Sequence, residues 1–201
     1  MTEDLDFTEA ARAEMYALLG NLFYQPPSKE LLHVIATGSV ICNDESVSDF
    51  CRAWRALQQA AAQTDAEKVN DEFDAAFIGT GRQPVMLYGS FYVAGFLHEK
   101  PLALLRQDLR ELGIERRGDR HESEDHVSAL CDVMRLLIAG DAETSPAALS
   151  VQREFFQRHI APWQSGLNAA ISAANQTNFY RNVAAVLSEF IAVENSAFEM
   201  S

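Results

Sequence analysis

Apolar residues recur at intervals of three and four along most of the chain, and this spacing constrains the fold more than any other feature. It is clearest in three segments: Met15, Leu18, Leu19, Leu22 and Phe23; Val127, Leu130, Cys131, Met134, Leu137 and Ile138; and Val183, Val186, Leu187, Phe190 and Ile191. Such a period places apolar side chains on one buried stripe of an α-helix. No segment alternates apolar and polar residues convincingly as a strand does. The sequence therefore predicts an all-α fold.

Capping residues and prolines divide the chain into about eight to eleven predicted helices. Pro26 and Pro27 end the first helix, and Ser28 can cap the second. Ser46 and Asp49 form a plausible capping box for the third. Later helices are predicted at about 66–77, 101–112, 123–139, 146–159, 162–175 and around 183–191, with Ser145 as the cap of the helix that Pro146 opens.

The length suits one domain. At 201 residues a single globular helical bundle covering 1–201 can bury most of its apolar surface. The strongly polar segment GIERRGDRHE, at about 113–122, is predicted to be a loop or hinge, so two lobes joined there are the alternative organisation.

Charge and composition exclude several functions. A net charge of −13 repels nucleic acid and anionic lipid and favours a cationic partner. No apolar run approaches the roughly 20 residues that span a bilayer, so stable membrane insertion is not expected. The start, MTEDLDFTEA, lacks the basic and apolar regions of an export signal, which predicts a cytoplasmic protein. Cys42, Cys51 and Cys131 lack CxxC spacing and are predicted to be reduced packing residues.

An uncharged stretch of fifteen residues, from Gln83 to Leu97, interrupts the helical pattern. It contains four aromatic residues and two glycines: Tyr88, Phe91, Tyr92, Phe96, Gly89 and Gly95. One interpretation is a buried connection that fills the core. The other is an irregular segment that lines a groove, where a bound peptide can satisfy its backbone groups. Such a groove would fit an apolar run of a peptide.

The segment HESEDH, residues 121–126, carries two imidazoles and three carboxylates. It can be a helix start, with Ser123 as N-cap and Glu124 and Asp125 in the first turn. It can also be an anionic recognition patch or a metal site. The metal interpretation is weaker because His121 and His126 are five residues apart, rather than three or four apart within one helix.

Four motifs together resemble the TorD/DmsD/NarJ family of cytoplasmic chaperones for molybdenum-containing redox enzymes. FDAAFIGTG, the following Pro84 and YGSFY are similar to the family's middle region, and ESEDHVSAL is similar to its E-P-x-D-H signature. AEMYALLGNLFYQPPSKELL resembles the first two helices. FFQRHIAPWQSGLNAAISAANQTNFYRNVAAVLSEF resembles the last helices, with H-x-x-P-W and F-Y elements. Ser123 stands where the signature has proline.

The resemblance implies binding rather than catalysis, and no cofactor of the chain's own. The implied partners are the catalytic subunit of an anaerobic reductase of the DMSO/TMAO type and its twin-arginine signal peptide, held until molybdopterin is inserted, so that export is delayed. The implied chaperone is a monomer or a domain-exchanged homodimer. The family positions fall on Phe77, Gly79, Gly81, Pro84, Gly89, Ser90, Tyr92, Glu122, Asp125 and His126, with Tyr88 where some relatives have tryptophan.

These residues suggest a mechanism. We expect Glu122, Glu124 and Asp125 to attract paired guanidinium groups, because the planar arginine fork suits a carboxylate better than lysine does. We expect Phe77, Tyr88 and Tyr92 to receive an apolar segment, and His126 to orient the loop. Two alternatives remain. One is a metal-dependent enzyme that uses His121, Glu122, Asp125 and His126, and the other is a plain helical scaffold.

Overall fold

The computed structural model describes residues 2–38, 48–79, 83–95, 100–116, 122–142 and 144–200. In these ranges the chain forms ten α-helices and one π-helical turn, and no strand. The elements are α1 (Thr2–Tyr24), α2 (Lys29–Thr37), α3 (Asp49–Ala62), α4 (Ala66–Phe73), the π-helical turn (Asp74–Ile78), α5 (Gly89–Ala94), α6 (Lys100–Glu111), α7 (Val127–Ala139), α8 (Leu149–His159), α9 (Ala161–Ala173) and α10 (Phe179–Met200). The predicted all-α class is confirmed.

The chain divides into two compact units. The first contains Met1–Tyr24 and Leu87–Trp163, and the second contains Gln25–Met86 and Gln164–Ser201. The predicted hinge at about 113–122 falls within the first unit, where its described residues lie between α6 and α7. Its role as a hinge stays a prediction.

The core of the first unit is built by α1 packed against α7, which in turn packs against α8. Tyr16, Leu19 and Met134 are fully buried there. The two helix backbones approach closely at Gly20, where an added Cβ would lie 3.1 Å from Cβ of Cys131. Burial of these apolar stripes stabilises the unit by about 25 cal/mol per Å² removed from water. α5 packs against α6 in the same unit.

In the second unit, α10 packs against α3 and α4, and α2 packs against α3. An aromatic cluster fills part of its core: the ring centroid of Phe77 lies 5.2 Å from that of Phe73 and 4.9 Å from that of Tyr180. The Glu72 carboxylate accepts hydrogen bonds from the backbone amides of Asn178, Phe179 and Tyr180 and so fixes the start of α10 to α4.

The helix starts follow the predictions in part. The Ser28 side chain accepts from the amide of Leu31 and caps α2, as predicted. The N-cap of α3 is Ser48 rather than Ser46, since the Ser48 hydroxyl accepts from the amide of Cys51; Ser46 lies outside the described residues. Both are serines close to the helix start, and local sequence alone does not choose between them.

The starts of two further helices were predicted a few residues too early in the sequence. α7 begins at Val127 rather than Ser123, with His126 as its N-cap. α8 begins at Leu149 rather than Pro146, and residues 144–148 are not helical. The amide of Ala147 instead donates to the carbonyl oxygen of Leu137 in α7 at 2.8 Å.

The cysteine prediction is wrong in one place. Cys51 is disulfide-bonded, whereas Cys131 is free and fully buried. Cys42 lies outside the described residues. Among the helices that the structure describes, none combines the length and the apolar character needed to cross a membrane.

Candidate functional site

The second half of the uncharged stretch is joined to the acidic segment by backbone hydrogen bonds. The amide of Val127 donates to the carbonyl oxygen of Leu87 at 2.9 Å, and the amide of Gly89 donates to that of Asp125 at 2.8 Å. Tyr88 and His126 thereby form an isolated antiparallel bridge. We call residues 122–126 the acidic turn. Residues 87–89 of the uncharged stretch and the acidic turn are thus connected within the first unit.

Residues 89–94 are helical, which corrects the expectation of an irregular segment. α5 begins at Gly89 and ends before Gly95, whose φ of 80° is the left-handed conformation that favours glycine. At the other end, an added Cβ on Gly89 would lie 2.8 Å from Cδ1 of Trp163. The indole nitrogen of Trp163 donates to the carbonyl oxygen of His159 at 2.5 Å. The YGSFY and H-x-x-P-W motifs therefore contact each other at Gly89.

Asp125 ties the acidic turn to α5. Its side chain accepts from the amide of Ser90 at 3.2 Å through Oδ2 and from the hydroxyl of Ser123 through Oδ1. Only 3% of Asp125 is exposed. Asp125, which we expected to attract a guanidinium group together with Glu122 and Glu124, is thus a buried hydrogen-bond acceptor. Ser123 supports this carboxylate instead of capping α7.

His126 is buried beside Tyr88. Its Nδ1 accepts from the amide of Ser128 at 3.2 Å, which caps α7, and its ring meets that of Tyr88 edge to face at 5.2 Å between centroids. Burial lowers the pKa of His126 to about 4, although the charges of Glu122 and Asp125 act in the opposite direction. His126 is therefore neutral at pH 7, with its proton on Nε2.

The Tyr88 hydroxyl donates a hydrogen bond to Oε2 of Glu122. Burial raises the pKa of Tyr88 well above its usual value, and the neighbouring negative charges raise it further. Tyr88 thus stays protonated and can keep orienting the Glu122 carboxylate.

Two arginines of the chain contact the acidic turn. Nε and Nη2 of Arg106, on α6, both lie 2.9 Å from Oε2 of Glu124, and Nη1 of Arg116 donates to the backbone oxygen of Glu122 at 3.0 Å. Burial alone would raise the pKa of Glu124, but the bonded Arg106 guanidinium holds that pKa below its usual value. Glu124 is therefore ionised and paired.

The other described site residues are divided between the two units. Phe77, Gly79 and Pro84 belong to the second unit, where Phe77 is buried in the aromatic cluster and Gly79 ends the π-helical turn with a φ of 48°. Tyr92 lies on α5, half-buried against Phe91. Gly81 lies outside the described residues.

Two contributors were missed by sequence reasoning. Trp163 belongs to the H-x-x-P-W element, so its motif was visible, but its contact with Gly89 was not. Arg106 gave no signal, because it is one of two arginines on an amphipathic helix and nothing in the sequence distinguishes it from Arg110. Within the described part of the chain, no group of three or more His, Cys, Asp or Glu side chains is placed to hold a metal ion; His121 lies outside that part.

The chain is all-helical, and its YGSFY and EDH segments are joined by backbone hydrogen bonds. Comparison with known families identifies the class of protein to which the chain belongs. The family model described as nitrate reductase delta subunit matches residues 43–169, and the chain belongs to this family. The resemblance to the TorD/DmsD/NarJ chaperones is thereby confirmed. This is a family of maturation chaperones rather than of enzymes.

Individual relatives agree with this assignment. The chain is 25% identical over 177 residues to the "Chaperone protein TorD" of Vibrio cholerae serotype O1, covering 81% of this chain and 80% of the relative. It is 26% identical over 183 residues to the "Chaperone protein TorD" of Photobacterium profundum, covering 87% of this chain and 76% of the relative.

Proposed function

We propose that this protein is a cytoplasmic chaperone for a molybdopterin-dependent anaerobic respiratory reductase of the DMSO/TMAO type. It binds the twin-arginine signal peptide, the apo catalytic subunit or both. Binding assists cofactor insertion and delays export through the twin-arginine pathway until the client has folded. Family membership supports the maturation role. The acidic turn and α5 support the recognition of a signal peptide.

One observation carries the peptide-binding proposal: the hydrogen bond from the Gly89 amide to the Asp125 carbonyl oxygen joins an aromatic segment to a carboxylate segment. A signal peptide has the complementary pattern of arginines and an apolar run. Val93, on α5, is 51% exposed, and Phe91 and Tyr92 are half-buried beside it in sequence. The first unit thus contains both carboxylates for the arginines and apolar side chains for the apolar run.

The site residues divide into two roles in this proposal. Glu122 and Glu124 face the guanidinium groups, since both keep some exposure. Asp125 and His126 are positioning residues, because their side chains are buried and bonded to the segments that they connect. Tyr88 and Tyr92 contact the apolar run. Phe77, Gly79, Gly81 and Pro84 remain in the proposed set on the family resemblance, together with Gly89 and Ser90, which fix the start of α5.

The physical basis is a division between affinity and selectivity. Apolar burial supplies affinity at about 25 cal/mol per Å². Charge complementarity sets the register and speeds the encounter, and the net charge of −13 adds long-range attraction for a basic segment. Peptides that carry only the arginines or only the apolar run would gain half of the interaction.

Calorimetric titration with a reductase signal peptide tests the proposal. We expect a twin-arginine peptide to bind more tightly than the same peptide with both arginines replaced by lysine, and we expect Glu124→Gln to reduce that preference. Equal affinity for the two peptides, or no binding of either, would refute signal-peptide recognition by this site. Light scattering of the free and bound protein would decide between a monomer and an exchanged dimer.

A further inference from the structure

The carboxylate proposed to receive a client arginine already holds an arginine of the same chain. Arg106 extends from α6 to Glu124, and its two nitrogens Nε and Nη2 share the single oxygen Oε2 at 2.9 Å each. The group that occupies the site thus has the same chemistry as the ligand proposed for it.

The geometry of this pair is not the strongest that a guanidinium can make. A fork in which two nitrogens bind two carboxylate oxygens adds energy and specificity over contact with one oxygen. Both contacts of Arg106 are to Oε2. A client arginine that binds both oxygens of Glu124 would therefore form the better pair.

Exchange of one arginine for another requires no unfolding. The Arg106 side chain is 52% exposed, so it can turn into solvent while α6 stays in place. An ion pair near the surface contributes little to stability, so the loss of this partly exposed pair is a small cost that a well-placed ligand can offset.

We propose that Arg106 is an internal competitor for the guanidinium site at Glu124: it occupies the carboxylate in the free chaperone and is displaced when a client arginine binds. This inference rests on the proposed function and adds a specificity device to it. Because every ligand must displace Arg106, a lone lysine or a single arginine gains little, whereas a twin-arginine segment that also buries an apolar run gains enough to bind. The internal pair thereby discourages other basic peptides.

The chain offers a closely matched control. Arg158 pairs with Asp108 at 2.8 Å, and its exposure of 49% and that of its partner, 16%, resemble the 52% and 19% of Arg106 and Glu124. Arg106→Gln and Arg158→Gln each remove one positive charge, and each breaks the pair with the carboxylate of another element; Arg158→Gln also removes a pair with Glu154 on the same helix. Only the first removes the proposed competitor.

The experiment is a calorimetric titration of one twin-arginine peptide, and of its single-arginine variant, into the wild type and both glutamine variants. Arg106→Gln is expected to tighten binding of the twin-arginine peptide by about two- to fivefold, the range that corresponds to an exposed ion pair. It should tighten binding of the single-arginine peptide as well, while Arg158→Gln changes neither. In a Glu124→Gln background, Arg106→Gln should have no effect.

Equal gains in both variants would mean that net charge alone controls affinity and would overturn the inference. Weaker binding by Arg106→Gln would also overturn it, because Arg106 would then support the acidic turn instead of competing for it. These outcomes leave the proposed function intact as long as the wild type binds. Failure of every variant and the wild type to bind the twin-arginine peptide would overturn the proposed function and this inference together.

Discussion

The amide of Gly89 lies 2.8 Å from the carbonyl oxygen of Asp125 and donates a hydrogen bond to it. This bond connects the first residue of α5 to the acidic turn that precedes α7. The ring of Trp163, in the H-x-x-P-W motif, packs against the same glycine, since a Cβ added to Gly89 would meet that ring. Three sequence motifs that are far apart in the chain therefore meet at one backbone position, and this meeting point determines how the aromatic and acidic residues are presented.

Gly89→Ala is expected to destabilise the protein by about 1–3 kcal/mol, because the new methyl group would lie 2.8 Å from Cδ1 of Trp163 in a packed region. Urea denaturation measures the effect. In a Trp163→Leu background the same substitution should cost less, since the ring that blocks the methyl group is gone. An unchanged cost in that background would show that Gly89 is required for another reason.

Asp125→Ala is expected to lower both stability and peptide affinity. It leaves the buried amide of Ser90 without its side-chain acceptor, which costs about 1–3 kcal/mol. Glu124→Ala is the comparison within the same turn. It should lower peptide affinity but change the free energy of unfolding by no more than about 1 kcal/mol, as expected for an ion pair near the surface. Denaturation and calorimetry of both variants separate a positioning residue from a contact residue, and identical profiles would contradict the assignment.

The free energy of unfolding is expected to fall as the pH drops from about 6.5 towards 4. The pKa of His126 is lowered from 6.5 to about 4 in the folded protein, so the unfolded chain binds more protons in this window. The neutral, buried imidazole stabilises the fold above the unfolded pKa, by at most about 3 kcal/mol, and this contribution is lost on acidification. Urea midpoints at several pH values measure it.

His126→Asn provides the control for this pH dependence. Asparagine is a good N-cap and does not titrate. The cap of α7 can therefore persist, while part of the dependence of the unfolding free energy on pH disappears. Some slope should remain, since burial also lowers the pKa of His159. A slope identical to that of the wild type would exclude His126 as a source.

Glu72→Gln is expected to destabilise the second unit by about 1–2 kcal/mol. The Glu72 carboxylate accepts from three backbone amides at the start of α10, and a neutral amide replaces it poorly at the positive end of a helix. Asp71→Asn removes the same charge from the neighbouring, exposed residue and should change stability by less than about 0.5 kcal/mol. Equal effects in urea denaturation would refute the capping role.

Periodicity predicted the long helices because their apolar stripes are local properties of the sequence. The short helix α5 was not predicted, because Gly89 is a poor helix former and α5 starts where the Asp125 carbonyl and carboxylate oxygens accept from its first amides. The start of α7 was also predicted wrongly because a contact with a distant part of the chain determines it. The Val127 amide is bonded to Leu87, forty residues earlier, and that tertiary contact overrides the capping potential of Ser123.

The candidate site was predicted in residue type but not in role. Glu124 and Asp125 are adjacent acids with similar local context, yet Glu124 pairs with Arg106 near the surface and Asp125 is buried against Ser90. No local pattern distinguishes them, because the difference arises from which element each side chain meets. The same holds for Arg106, whose partner is 18 residues away on another element.

Photo-cross-linking of a twin-arginine signal peptide to two matched positions tests most directly whether the peptide binds at α5 and the acidic turn. Val93 on α5 is 51% exposed and Val193 on α10 is 52% exposed, so a photoreactive amino acid at either position is equally accessible. If the peptide binds at α5 and the acidic turn, position 93 gives a cross-link that excess unlabelled peptide abolishes, and position 193 gives none above background. Equal or stronger cross-linking from position 193 would contradict a binding surface at α5 and the acidic turn.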